Sequence, residues 1–271
     1  MASLPTPRQI SSGAAFSVDG MAFAYPEGRR GVFERFSLKA RPGELVAVLG
    51  PSGCGKSTLL NLLSGFLRPQ SGHITIDGAP VAPEHPGLGY VFQSPNLFPW
   101  LSVLENVRFG LRMNRRGSLQ EQRAVALNFL RLVGLVEQAE EPPHRLSGGQ
   151  RQRVALARSL ALEPRLLLMD EPFAALDAMT RATLNDELLL IWSSLGQTVL
   201  FITHDIDEAV YLADRVLVLG VPPAGITAEV AINLPRPRDQ RGTRANPLFA
   251  ELRERLSEEI AKLTAGNKRV I

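Results

Sequence analysis

The stretch Gly50-Pro51-Ser52-Gly53-Cys54-Gly55-Lys56-Ser57-Thr58 decides how the rest of this sequence is read. It fits G-x-x-x-x-G-K-[ST], a loop whose glycines turn successive backbone N–H groups toward a phosphate. Its flanks agree with that reading. Glu44-Leu45-Val46-Ala47-Val48-Leu49 is a short apolar run of buried-strand type, and Lys56 to Gly65 sets Leu59, Leu60 and Leu63 at helical spacing. Strand, loop and helix in that order predict a nucleoside triphosphate site, with the positive end of the helix dipole at the phosphates. Lys56 then reaches the β and γ phosphates as a point charge, and the Ser57 hydroxyl ligates Mg²⁺. Thr58 reads as a helix residue and Cys54 as a small residue that fits the loop.

The chain around this loop has 271 residues, enough for a sizeable core. The formal charge of +3 reflects a small excess of basic residues and not a nucleic-acid stripe. One cysteine excludes an internal disulfide and suits a reducing compartment. Met1 to Gly13 lacks the basic start and continuous apolar core of a signal peptide. The most apolar stretch, Leu188 to Thr203, is broken by Ser193, Ser194, Gly196, Gln197 and Thr198, so no membrane span is expected.

Before the loop, residues 1–13 are polar and rich in Pro and Ser, and read as a flexible tail. The runs Ala15-Phe16-Ser17-Val18 and Val32 to Leu38 alternate as strands do, separated by Pro26, Gly28 and Gly31, and predict an antiparallel flap. Tyr25 sits at its turn, where it either stacks on a purine or is a half-buried turn tyrosine. After the loop, His73-Ile74-Thr75-Ile76-Asp77-Gly78 is a strand ending in a turn. Leu88-Gly89-Tyr90-Val91-Phe92-Gln93 is another, ending on a glutamine. Leu97-Phe98-Pro99-Trp100-Leu101 puts bulky apolar residues in a loop, where they pack locally or form a contact patch. Helices are expected over Ser102 to Met113, with the stripe Val103, Leu104, Val107 and Leu111, and over Leu119 to Val133, with Ala124, Leu127, Leu130 and Val133 on one side. A third runs from about Gly149 to Leu162. This helical block, about residues 95–163, reads as an insertion into an α/β core.

The second half carries three polar features at the ends of apolar elements. Leu146-Ser147-Gly148-Gly149-Gln150 opens the third helix, either as a serine cap or as a second anion site. Leu166-Leu167-Leu168-Met169-Asp170-Glu171 is a buried strand ending in two carboxylates; the first suits Mg²⁺ and the second suits activation of water. Thr198 to Thr203 is again a strand, ending at His204, which either donates to a γ-phosphate or is a capping or surface histidine. Arg215 to Leu219 and Gly225 to Leu234 supply closing strands. Asn246 and Pro247 start a last helix with Leu248, Leu252, Leu256, Ile260 and Leu263 on one side and Gly266 as its stop.

With Tyr25, Gly50 to Thr58, Gln93, Leu146 to Gln150, Leu166 to Glu171, Asp177 and His204 in this order, the chain resembles the ATP-binding subunits of ABC transporters over about residues 14–220. LSGGQRQR at 146–153 is the most specific part. The resemblance implies an α/β fold, a P-loop NTPase core with an antiparallel β flap and an inserted α-helical subdomain. The domain would span 14–235, with 236–271 as a C-terminal linker and helix. ATP and Mg²⁺ are the implied cofactors.

Members of that family close two nucleotide domains head to tail over two ATP molecules. Carried over, Tyr25 would stack on adenine, and Gly50 to Thr58 would hold the phosphates. Ser57, Gln93 and Asp170 would serve the metal, Asp170 through water. Glu171 would be the general base, with Lys56, Gln93 and His204 also in the catalytic set. Ser147, Gly148, Gly149 and Gln150 would cap the γ-phosphate bound to the opposite subunit, and Asp177 would cross the dimer interface. Gln93 would also link the site to an integral-membrane permease.

QSPNLFPWLSVLENVRFGL at 93–111 resembles the equivalent stretch in importers of nitrate, sulfonates and taurine, and of pyrimidine precursors. The implied partners are a second copy of the chain, permease subunits and, indirectly, a periplasmic or surface solute-binding protein, with no nucleic acid. The implied place is the cytoplasmic face of the inner membrane, peripherally. A soluble ABC ATPase acting on nucleic acid or ribosomes is the rival reading; such proteins carry long coiled-coil insertions or tandem cassettes, and this chain has one cassette and no sustained heptads.

Overall fold

The alternating runs on either side of Pro26 form two antiparallel strands, β1 (Phe16–Phe23) and β2 (Phe33–Ala40). These belong to a computed structural model that describes residues 13–26, 31–83, 85–174, 176–223 and 225–267. Residues 1–12 of the expected tail, the expected turn residue Gly28, and Ala175 beside Asp177 lie outside the described residues. Gly13, at the end of that tail, is already part of the fold: it is buried and its N–H donates to Gly196 O at 3.0 Å.

After β2 the chain enters β3 (Leu45–Leu49), the loop, α1 (Lys56–Leu63), β4 (Ser71–Ile76) and the two-residue β5 (Ala79–Pro80). It continues through β6 (Leu88–Val91), α2 (Val103–Met113), α3 (Leu119–Leu132), α4 (Gly148–Leu160), β7 (Leu166–Asp170) and α5 (Ala178–Leu195). The remaining elements are β8 (Thr198–Ile202), α6 (Ile206–Leu212), β9 (Arg215–Leu219), β10 (Ile226–Ala231) and α7 (Pro247–Asn267). Strands β4 and β5 extend the flap, giving the order β2-β1-β4-β5. The other sheet runs β10-β9-β3-β8-β7-β6, parallel except for the antiparallel edge strand β10.

The near-continuous apolar strands are explained by burial on both sheet faces. Along β3, Leu45, Ala47 and Leu49 face the helical side, and Val46 and Val48 face α1 and the flap. The same alternation holds in β7, β8 and β9, so two cores share one sheet, as the period of two requires.

The helical subdomain is α2, α3 and α4 packed on one another, with α4 also lying against β6. Ser102 caps α2, and Ser118 with Glu121 forms a capping box at α3. The expected stripe on α3 is corrected. Ala124 is exposed, and the buried positions are Gln122, Ala126 and Leu130, with Val133 just beyond. Steps of three lose about 60° per step on a 3.6-residue helix, so a run of threes walks off the buried face.

Near the C-terminus, α7 packs on α6 through Phe249, Leu252 and Leu256. It passes through Gly266, the expected stop, as far as Asn267. A glycine inside a helix costs only about 1 kcal/mol, which does not end a helix docked along its length.

Candidate functional site

Four parallel strands deliver their C-terminal ends to one rim in the order β6, β7, β8, β3. The phosphate loop follows β3, Gln93 follows β6, Asp170 and Glu171 close β7, and His204 follows β8. Because β7 lies between β6 and β8, Glu171 has Gln93 on one side and His204 on the other. Its Oε2 accepts from Gln93 Nε2 at 3.3 Å and lies 3.2 Å from His204 Nδ1. Glu171 itself has φ +42°, an uncommon left-handed conformation, and its N–H donates to Ile202 O of β8 at 3.0 Å. The carboxylate is thus turned across the rim by a backbone tied to the neighbouring strand.

In the loop, Lys56 Nζ donates to Gly50 O at 2.8 Å and Pro51 O at 3.0 Å, which pins the ammonium at the mouth of the cradle. Gly55 is needed there: it has φ +101°, and a Cβ would sit 2.7 Å from Val32 Cγ1 and 3.0 Å from Phe33 Cζ of the flap. Cys54 is buried beneath the loop, and burial pushes its thiol up, so it stays protonated and acts as packing. Tyr25 is partly exposed; its hydroxyl is 3.1 Å from Thr58 Oγ1 and its ring meets Phe23 edge-on. That leaves a ring face at the edge of the loop. Thr58 is buried in α1, so the flap tyrosine is tied to the helix that follows the loop.

Ser57 Oγ donates to Asp170 Oδ1 at 3.3 Å. Burial raises the Asp170 carboxyl above its ordinary range and the Ser57 bond partly opposes this; nearby Glu171 adds to the rise and Lys56 counters it. A hydroxyl and a carboxylate, both oxygen donors, fit Mg²⁺. This ion keeps several waters and takes few protein ligands beside substrate phosphates.

A second group of expected residues caps two helices. Ser147 caps α4 by accepting from Gln150 N at 3.2 Å, while Gln150 Oε1 accepts from Ser147 N at 2.8 Å. Asp177 caps α5, accepting from Met179 N, Thr180 N and Thr180 Oγ1, and the bonds from Thr180 hold its carboxyl below the ordinary range. Gly149 joins the two caps: a Cβ there would come within 2.9 Å of Thr180 Cγ2. Among the described residues, no hydrogen bond or ion pair connects Ser147, Gly148, Gly149 or Asp177 to Lys56, Ser57, Asp170 or Glu171 of the same chain.

Beside the rim, the Phe98–Trp100 loop is held by two residues that sequence reasoning missed. Asn106, fully buried on α2, accepts from Phe98 N at 2.8 Å and donates to Phe98 O, Leu101 O and Ser102 O. Arg158 of α4 donates to Pro95 O and Asn96 O and lies over the Phe98 ring. Asn106 is the one polar residue on the apolar stripe of α2, which is the signal that could have found it. Trp100 packs on Phe98 yet is 76% exposed.

Residues 33–174 match the family model described as ABC transporter. The chain belongs to the ABC transporter family. As an ABC transporter ATPase it binds ATP and hydrolyses it, and its fold is the ABC ATPase fold. The chain is 45% identical to the nitrate import ATP-binding protein of Synechococcus elongatus, over 88% of each chain. It is also 45% identical to the taurine import ATP-binding protein of Pseudomonas aeruginosa, over 88% of this chain and 92% of the relative. A solved ATP-binding cassette, described as a dimer in a post-hydrolysis state bound to ADP and Pi, superposes with a TM-score of 0.73. It is 33% identical, covering 80% of this ABC transporter chain and 98% of its own.

Proposed function

We propose that two copies of this chain close head to tail over two ATP molecules and so drive a separate membrane permease that imports a small solute of the nitrate, sulfonate or taurine type. The observation that carries this reading is the separation of two incomplete groups within one chain. The rim group (Tyr25, Gly50 to Thr58, Gln93, Asp170, Glu171, His204) holds cation, acid and base. The other group is a capped helix N-terminus at Ser147 with Asp177 beside it, an anion-favouring end that, among the described residues, makes no hydrogen bond or ion pair to the chain's own loop. A head-to-tail pair brings each missing half to the other.

In such a pair Lys56 exchanges its two carbonyl partners for β and γ phosphate oxygens, a change of acceptor that a flexible lysine makes at little cost. Tyr25 stacks on adenine at the loop edge. Ser57 and Asp170 would hold Mg²⁺, which supplies charge neutralisation at the phosphates. Glu171 takes a proton from water; the water oxygen bonds to the γ-phosphorus as the bond to the bridging oxygen breaks, and ADP leaves with that electron pair. Gln93 and His204 keep Glu171 aimed through its Oε2, and His204 turns to the γ-phosphate. From the partner, Ser147, Gly148, Gly149 and Gln150 close over the same phosphate and exclude water, with Asp177 crossing the interface. Loss of the γ-phosphate removes what both copies grip, so the pair opens.

Phe98, Pro99 and Trp100 receive a permease helix, and Gln93, five residues before Phe98, passes the closure to it. No helix among the described residues is long and apolar enough to cross a membrane. In this reading the chain works peripherally at the cytoplasmic face of the inner membrane, as part of an importer like the relatives named above, and a solute-binding protein acts on the permease from the other side. Both relatives named above carry small anionic or zwitterionic solutes in their names, which supports that solute class.

The experiment is sedimentation of the Glu171→Gln protein with ATP and Mg²⁺. Pairing that depends on both is the expected result. A protein that stays monomeric at saturating nucleotide would overturn the head-to-tail reading.

A further inference from the structure

Arg181, on the first turns of α5, makes contacts on two different loops. Its Nε donates to Phe173 O at 3.3 Å and its Nη2 to Leu176 O at 2.9 Å; its Nη1 donates to Asp205 Oδ2, also at 2.9 Å. The first two acceptors lie in the tight segment between Glu171 and Asp177, where Ala174 N bonds Glu171 O and Leu176 N bonds Phe173 O. The third follows His204 directly. Asp205 is itself fixed on both sides: its N–H donates to Thr203 Oγ1 at 3.0 Å, and its Oδ1 caps α6 by accepting from Glu208 N at 3.1 Å. One planar guanidinium therefore spans the chain that leads from the base to Asp177 and the chain that presents His204. Lysine cannot copy this, because its donors all leave one nitrogen, whereas the three acceptors here are met by three different nitrogens of a rigid planar fork.

We infer that Arg181 is a positioning residue that couples the Asp177 segment to the His204 loop, so that seating Asp177 at the interface sets His204 against Glu171. This rests on the head-to-tail reading. None of the three bonds is explained by nucleotide binding within one chain, since Arg181 has no contact with the phosphate loop among the described residues. Loop contacts alone would be served by backbone bonds. The fork is needed because two segments from the ends of β7 and β8 must move together. If Arg181 let go of either, Glu171 and His204 would keep their own strands but lose a shared register at the 3.2 Å contact between them.

The test uses Arg181→Lys and Asp205→Asn, singly and together, in the full chain. Asn keeps the capping oxygen of Asp205 and removes its charge. The expected result is a fall in kcat of about tenfold or more for each, with KM for ATP within about twofold, and a double variant no worse than the weaker single one. In a Glu171→Gln background both variants should still pair with ATP and Mg²⁺. Unchanged kcat in folded Arg181→Lys overturns the inference, as does loss of ATP binding in step with kcat, which marks a merely structural role. Fully additive effects of the two substitutions overturn it as well. Should the Glu171→Gln parent with Arg181 intact fail to pair, the head-to-tail reading falls instead, and the two failures are distinct.

Discussion

His204 Nδ1 lies 3.2 Å from Glu171 Oε2 across the rim of the parallel sheet, and Gln93 Nε2 reaches the same oxygen at 3.3 Å. Two residues from two other strand ends thus converge on one carboxylate whose backbone is held left-handed. Glu171→Gln keeps the volume and the left-handed turn but removes the base. Steady-state hydrolysis should fall by roughly 10² to 10⁴ with ATP affinity unchanged. Turnover at the parent rate would remove Glu171 from the role of base.

Ser147 tests which copy each group serves. In a mixed dimer, Ser147→Ala on one protomer should damage hydrolysis at the site built on the other protomer's Lys56. Combining it with Lys56→Ala on the same or the opposite protomer separates the two cases in a turnover assay. Because Ala also removes the cap bond from Gln150 N, the variant should lose about 1 kcal/mol of stability in chemical denaturation. Damage confined to the altered protomer's own Lys56 site would contradict the arrangement.

Asn106 and Trp100 separate loop shape from loop contact. Trp100→Ala removes an exposed ring and should weaken co-purification with the permease, leaving ATP affinity and stability nearly unchanged. Asn106→Ala removes the partner of Phe98 N, Phe98 O and Leu101 O, so it should also weaken assembly and cost about 1–3 kcal/mol in denaturant unfolding. Full assembly by both variants would show that the permease does not use this loop.

Glu208 makes stability depend on pH. It is buried on α6, its Oε1 has no hydrogen-bond partner, and burial raises its carboxyl from 4.5 to about 7. Asp205 and Glu171 add to the rise, and a bond from Thr203 and the charge of Arg181 oppose it. Between those two pH values the folded chain holds a proton that the unfolded chain has released. Glu208 therefore favours the fold most below about pH 4.5, and the advantage is lost as pH rises to about 7. Glu208→Gln should shrink the stability difference between pH 5 and pH 8 by up to about 3 kcal/mol, measured by urea unfolding. An unchanged difference would mean that Glu208 ionises in the fold as it does in the unfolded chain.

Contiguous patterns were legible without coordinates. The nine residues from Gly50 to Thr58, the apolar runs that became β3, β7, β8 and β9, and the serines before α2 and α4 report local backbone geometry, because each acts within one turn or one strand. Where two local rules competed, the fold decided. The threes spacing on α3 gave way to the face that meets its neighbours, and Gly266 was carried inside α7 by docking at Phe249, Leu252 and Leu256.

What the linear order of residues determined, then, is which segments are strands and helices and where the short loops between them fall. What only the tertiary structure decided is which of those loops meet. The strand order β6-β7-β8-β3 sets Glu171 between Gln93 and His204, and the caps of α4 and α5 at Ser147 and Asp177 are joined through Gly149 and Thr180. Arg181 spans residues 173 to 205 and Asn106 holds Phe98 and Leu101. Strand order and the Arg181–Asp205 bond depend on contacts between residues far apart in the chain, about which periodicity within a short window carries no information. The Asn106 bonds are local and show in the sequence only as one polar residue on an apolar stripe.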